Sequence, residues 1–228
     1  MTTETSPSNS ASNAPTVGQL PDRHQALRLE NNAAIKAAAL ALAEARGLGN
    51  FTVEELAEAA NVSRRTFFNH FGSIHEATRG ALRDILLTAS EDVLRYFAGQ
   101  TMAEPPQTMA QLFELTAAAI QEVDVTETIR SSCRVLGQSP RENPLHSAWF
   151  REVFDAITAD FEILLEQLVP HIPALSRTLM VRLMLTSVEV CAEEWSVTAL
   201  ELPPTEGLAR WRQLHGQAMD QLRTGFGA

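Results

Sequence analysis

The sequence predicts an all-α chain of about nine helices, and three observations carry that prediction. Alanine and leucine, both strong helix formers, supply 59 of the 228 residues. Glycine and proline together supply only 22, and β-branched runs are scarce. Apolar residues recur at the three- and four-residue spacing of a helix face, in segments separated by Pro, Gly and capping residues.

Residues 1–24 are expected to form a disordered tail. Ser, Asn and Pro dominate residues 1–22, and Glu4 and Asp22 are the only charges there, so apolar burial cannot offset the ordering entropy. Arg23, His24 and Arg28 at its end leave open a minor-groove arm, although the tail proper holds no arginine. From about residue 26 the pattern is helical. Ile35, Ala38, Ala39 and Leu42 form one stripe, and Gly47 stands where a glycine closes a helix. Thr52-Val53-Glu54-Glu55 is a capping box opening a helix over 53–60, with Val53, Leu56, Ala57 and Ala60 inward. Asn61 suits a left-handed turn position, and Ser63 caps a helix over 64–71. Gly72 ends it, and Ser73-Ile74-His75-Glu76 is a second capping box, opening a long helix to about Phe97. Further helices are predicted near 107–122, 125–138, 145–169, 174–202 and 205–224. The breaks fall at Pro105-Pro106, at Ser139-Pro140 with Pro144, at Pro170 with Pro173, and at Pro203-Pro204.

Charge and cysteine content exclude several classes. The net charge of −10 is uneven: residues 1–80 are nearly balanced, and residues 81–228 carry almost all the excess. A small basic patch on an acidic body remains compatible with DNA binding. Cys133 and Cys191 exclude a disulfide-dense scaffold or a multi-cysteine zinc site, and each reads as a small buried hydrophobe. The start of the chain lacks the basic and apolar stretches of a secretory signal. The most apolar run, 179–192, is short and holds Arg182 and Glu189. A cytoplasmic protein with no membrane partner is expected.

The helix–turn–helix dimensions of 53–71 carry the chemistry. Projected at about 100° per residue, Phe67 and Phe71 share one face of the second helix. Arg65, Thr66 and Asn69 cluster opposite, with Phe68 and His70 on the flanks. That division suits a recognition helix. Arg65 matches guanine O6/N7, Asn69 matches adenine, and Thr66 matches a phosphate or a thymine methyl. Arg64 starts this helix; His70, the Thr52 hydroxyl and the N–H groups of helix starts suit backbone phosphates. A short amphipathic helix is also common in any helical bundle, so periodicity alone leaves both readings open.

The run Ala38-Ala39, Ala43, Gly47, Phe51 to Ala57, Ala60 to Ser63 and Thr66 to Ser73 resembles the DNA-binding domain of TetR-type transcriptional regulators. The resemblance covers roughly residues 28–80. It implies an all-helical homodimer with a helix-turn-helix domain over 25–72 and a ligand-binding and dimerisation domain over 73–228. It also implies a repressor released from a palindromic operator by a small effector. Three positions depart from the family pattern: Phe68 where tyrosine is usual, Ile74 where lysine is usual, and Asn61 where glycine is usual. The first two remove phosphate contacts, which implies weaker and less salt-sensitive DNA binding.

The rest of the chain offers no legible nucleophile–base pair, Gly-rich phosphate loop, cofactor site or metal-ligand spacing. His146, His171 and His215 read as surface or capping residues. Among its aromatic and soft side chains, Phe113, Trp149, Phe150, Phe154, Met184 and Trp195 are candidates to line an apolar cavity, though each also suits a core. The helix at 174–202 is apolar nearly all round and needs cover on two sides. Leu179, Leu183 and Val190 on it, with Leu208, Trp211, Leu214 and Leu222 on the last helix, are therefore candidates for a homodimer interface. The reading is a DNA-binding regulator and not an enzyme. Its rivals are a non-specific DNA-compacting protein, against which the acidic body argues, and an enzyme on a helical bundle.

Overall fold

The computed structural model describes residues 23–136 and 144–225, and within them the protein is nine α-helices with no strand. The helices are α1 (Arg23–Arg46), α2 (Val53–Ala59), α3 (Arg64–His70), α4 (Ile74–Ala103), α5 (Met109–Glu122), α6 (Thr126–Leu136), α7 (Pro144–Leu168), α8 (Ala174–Thr198) and α9 (Pro204–Thr224). The all-α expectation holds. The tail with its minor-groove arm, the break at Ser139-Pro140 and the side chain of His146 lie outside the described residues.

Local signals set the first four helices. Gly47 takes φ 84° after α1, and its N–H donates to the Ala43 carbonyl at 2.9 Å. The Thr52–Glu55 capping box is complete. Asn61 adopts φ 53°, the left-handed conformation that its short polar side chain tolerates, and the Val62 N–H returns to the Ala57 carbonyl at 2.9 Å. The second capping box closes differently from the expected form. The Ser73 side chain accepts from the Glu76 N–H at 3.1 Å, but the Glu76 carboxylate takes the Gly72 N–H at 2.8 Å, one residue before the cap. Two helix ends differ from the sequence reading: α4 runs on to Ala103, and α8 stops at Thr198.

Two apolar cores result. The first holds Ile35, Ala39 and Ala43 of α1, Leu56 of α2, Phe67 of α3, and Ala77 and Leu82 of α4. Val135, Leu136, Trp149 and Phe150, from α6 and α7, also pack there. The second gathers Phe97, Leu112, Phe161, Leu165, Met184, Trp195 and Trp211 from α4, α5, α7, α8 and α9. Helix α4 belongs to both. Lys36 of α1 pairs with Asp84 of α4 at 2.8 Å, and the Ser131 hydroxyl of α6 donates to Glu44 of α1.

Arg130 of α6 is buried, donates to the Leu200 and Leu202 carbonyls beyond α8, and lies 5.2 Å over the Trp195 ring. The Trp195 indole in turn donates to the Gly207 carbonyl at 2.8 Å. Gly207 makes this close approach feasible, since a Cβ there would sit 3.2 Å from the indole. No described helix is long and apolar enough to cross a membrane.

Two expectations about α9 are corrected. Trp211 is fully buried in the second core rather than facing outward, because α9 turns that side against α8. His215 is neither a surface nor a capping residue. It is fully buried one turn later, its ring stacked on Trp211 at 6.1 Å, and neither ring nitrogen has a hydrogen-bond partner. Burial pushes its pKa from 6.5 down to about 4. A histidine whose folded pKa is depressed is neutral in the native state and charges more readily on unfolding. Its contribution is therefore fully present above pH 6.5 and declines as pH falls towards 4. Between pH 7.5 and 5, urea unfolding should show the wild type losing about 2 kcal/mol more stability than His215→Leu. Parallel pH profiles of the two proteins would contradict this.

Candidate nucleic-acid interface and ligand cavity

Helix α3 is held from behind by its aromatic residues. Phe67 is fully buried, edge-on to Phe68 at 5.2 Å and 6.3 Å from Phe71. Ser63 accepts the Thr66 N–H at 3.0 Å and meets the Thr66 hydroxyl at 2.8 Å, so the first turn is capped. The opposite face is open. Arg65 and Asn69 are exposed and have no hydrogen-bond or ion-pair partner among the described residues. Phe68 is half-exposed, and His70 is half-buried beside Phe71.

Two of the residues predicted from sequence are already engaged. Arg64 contacts Glu54 at 2.5 Å and lies 5.6 Å over the Phe68 ring, which ties α3 to α2. The Thr52 hydroxyl accepts from the Glu55 N–H at 3.2 Å and lies 3.1 Å from the Glu55 carboxylate, to which it donates. The Thr52 N–H and the Arg46 guanidinium, both 2.8 Å from that carboxylate, hold the Glu55 pKa below its ordinary value. The capping box read from the sequence already implied the Thr52–Glu55 pairing, whereas the projection of α3 carried no sign of the Arg64–Glu54 contact.

A cavity of about 160 Å³ lies among α4, α5, α6, α7 and α8. An engineered apolar cavity of about 150 Å³ takes a benzene ring, so this one suits a group of that size. Phe150, Phe154 and Met184 line it, as does Phe161. The other three candidates do not. Phe113 sits under the Arg223 guanidinium at 5.7 Å, Trp149 packs on the first core, and Trp195 is turned towards Arg130 and Gly207. Sequence reasoning followed aromatics and so missed the smaller lining residues, including Leu86, Ala89 and Val93 of α4 and Val181, Val188 and Ala192 of α8. The seven- and four-residue spacing of the α8 set, one face of a helix, was the available signal. Cys133 lines the cavity half-buried, and burial raises its thiol pKa; Cys191 is buried, its pKa raised to about 11.

On the outer side of α8, Leu175, Leu179, Leu183, Val190 and Val197 form a stripe about half to three-quarters exposed. Leu208, Leu214 and Leu222 of α9 are half-buried against the second core. Among the described residues no group of three or more His, Cys, Asp or Glu is arranged to hold a metal ion.

The segment 35–76 matches the family model described as bacterial regulatory proteins, tetR family. Residues 35–76 are a TetR-type segment. The whole fold agrees with solved structures of that type. A candidate TetR-family transcriptional regulator from Mesorhizobium loti is 14% identical, with 85% of this chain and 96% of that one covered at a TM-score of 0.55. Another, from Shewanella sp. PV-4, is 15% identical, with 83% and 95% covered at 0.53. A third, from Syntrophomonas wolfei, is 14% identical, with 84% and 96% covered at 0.53. At these identities the likeness is one of fold. No curated protein matches the chain.

In the TetR-type head, then, Arg65 has no partner among the described residues on the exposed face of α3, while Arg64 is engaged by Glu54. Arg65→Ala should cost ~1–3 kcal/mol on duplexes selected from a random pool and relax preference at one base position. Arg64→Ala should weaken binding less and leave base preference intact. Equal affinity of wild type and Arg65→Ala for selected and scrambled duplexes would remove Arg65 from this role.

Proposed function

We propose that the protein is a sequence-specific, DNA-binding transcription regulator that acts as a homodimer. It works as a repressor, leaving a palindromic operator when a small, mainly apolar effector fills the cavity. The observation that carries this reading is the exposed face of α3, with Arg65 and Asn69 unpaired among the described residues on a helix capped by Ser63 and backed by Phe67. Arg and Asn donate in the patterns that guanine and adenine edges accept in the major groove. The match of the surrounding segment to the tetR family model supports the same assignment.

The outward stripe of α8 supports dimerisation. A monomer would leave five large aliphatic side chains of one helix in water, and a second copy applying the same stripe buries both. Half-buried Leu208, Leu214 and Leu222 of α9 flank that seam, whereas Trp211 supports it from within. A two-fold dimer presents two α3 helices, which is what a palindrome demands. The effector reading rests on the cavity, whose walls are mainly apolar with a few hydroxyl and carboxylate groups.

The test pairs association with DNA binding. Sedimentation of wild type should give a dimer, and footprinting on DNA flanking its own gene should protect two half-sites about one helical turn apart. Leu183→Glu should sediment as a monomer with native helix content and lose the symmetric footprint. A Leu183→Glu protein that remains dimeric and protects both half-sites would show that the interface lies elsewhere. Uniform protection of unrelated DNA would favour a compacting protein instead.

A further inference from the structure

We propose that the ligand of this cavity is an alcohol or phenol, an apolar body of ring size whose polar group donates a hydrogen bond. The inference rests on the effector reading above and adds the chemistry of the ligand's polar group. The lining is short of free donors. Among the described residues it holds no Lys, Arg, His, Asn, Gln, Tyr or Trp, so hydroxyls and one thiol are its side-chain donors. Most of those hydroxyls are committed to their own helices. Ser90 of α4 donates to the Leu87 carbonyl at 2.7 Å, Thr116 of α5 to Leu112 at 2.8 Å, and Ser132 of α6 to Thr128 at 2.8 Å. Ser196 of α8 donates to the Glu193 carbonyl at 2.7 Å.

A hydroxyl carries one proton, so each of these oxygens can only accept from a further partner. In an apolar wall the helix carbonyl is the acceptor within reach, which keeps the proton there. The donors left over lie at Thr128, in the first turn of α6, and at the Cys133 thiol, a weak donor that already shares a hydrogen bond with Ser196. Glu189 and Glu193 tip the balance the same way, because an ionised carboxylate accepts and does not donate, whatever else it is paired with. The walls therefore offer acceptors in excess. A ketone, ether or ester that enters gives up its hydrogen bonds to water and finds few donors to replace them. An alcohol or phenol brings the missing proton. The volume of about 160 Å³ limits the body that carries it to about one ring.

Three probes share one heavy-atom skeleton and separate the polar group from shape: 1-phenylethanol, acetophenone and cumene, which carry a hydroxyl, a carbonyl or a methyl group at the same place. Calorimetry on the full-length protein reads binding, and fluorescence anisotropy on the selected operator reads release. The alcohol should bind wild type about fivefold or more tightly than the ketone, the size of one net hydrogen bond. Ser90→Ala/Thr116→Val/Ser132→Ala, with native helix content, should bring the two within about twofold, chiefly by weakening the alcohol. Cumene should bind that variant at least as tightly as wild type. Thr116→Val alone, which keeps the shape of the side chain, should show part of the same loss. Acetophenone binding wild type as tightly as 1-phenylethanol overturns the proposal. So does an alcohol preference undiminished in the folded triple variant, or no measurable binding of 1-phenylethanol at millimolar concentration. A ketone that binds more tightly than the alcohol and releases the operator overturns the donor assignment alone. Alcohol binding that is lost with the three hydroxyls but does not release DNA supports the donor assignment and overturns the effector reading.

Discussion

The rest of the structure depends on one helix being shared by two cores. Helix α4 has 30 residues, a rise of about 45 Å. Its first turns place Ala77 and Leu82 in the core that seats α3, and its later turns place Val93 and Phe97 in the core of the body. Between them, Leu86, Ala89 and Ser90 form one wall of the cavity. A helix hydrogen-bonded along its length moves as a rod, and close-packed cores do not absorb displacement. A side chain that enters the cavity therefore presses on the same element that orients the head.

Helix α6 closes the loop. Its C-terminal Val135 and Leu136 pack in the head core, and its Ser131 meets Glu44 of α1. Its Arg130 is anchored at the other end, on two carbonyls beyond α8 and over Trp195. A buried guanidinium is tolerated because those carbonyls, Glu127 at 3.5 Å and the indole face all take up its charge. One end of α6 thus rests on the corner that leads into α9, and the other on the head. Head, cavity and outer helices form a continuous network, and a two-state element within it is what coupling between sites requires.

Much of this was legible because local rules and tertiary structure agree in the first 80 residues. Gly47, Thr52, Asn61 and Ser63 each adopt the conformation or make the hydrogen bond that their chemistry favours. The split of α3 into an aromatic back and a polar front follows from helical period, and the structure keeps it. What stayed hidden depends on neighbours distant in sequence. Nothing near Trp195 announces that Gly207 leaves room for its indole or that Arg130 lies over it. Helical period placed Trp211 on an apolar stripe of α9 but could not say which helix would cover it. His215 looked like a surface residue because a histidine without partners is rarely buried, and here stacking on Trp211 accompanies the burial. Among cavity candidates, aromatic identity misled, since size alone does not distinguish a wall from a core.

The central claim is that occupying the cavity weakens the grip of the head on DNA, and it can be tested without a ligand. Ala192 lines the cavity from α8, so Ala192→Phe puts a benzyl group into it. Operator affinity of wild type and this variant, measured by fluorescence anisotropy at one fixed salt concentration, is the decisive comparison. With helix content and dimerisation unchanged, the filled protein should bind its operator roughly 5- to 150-fold more weakly, the range of typical coupling between sites. Operator affinity equal to wild type in a folded, dimeric Ala192→Phe protein would contradict the coupling.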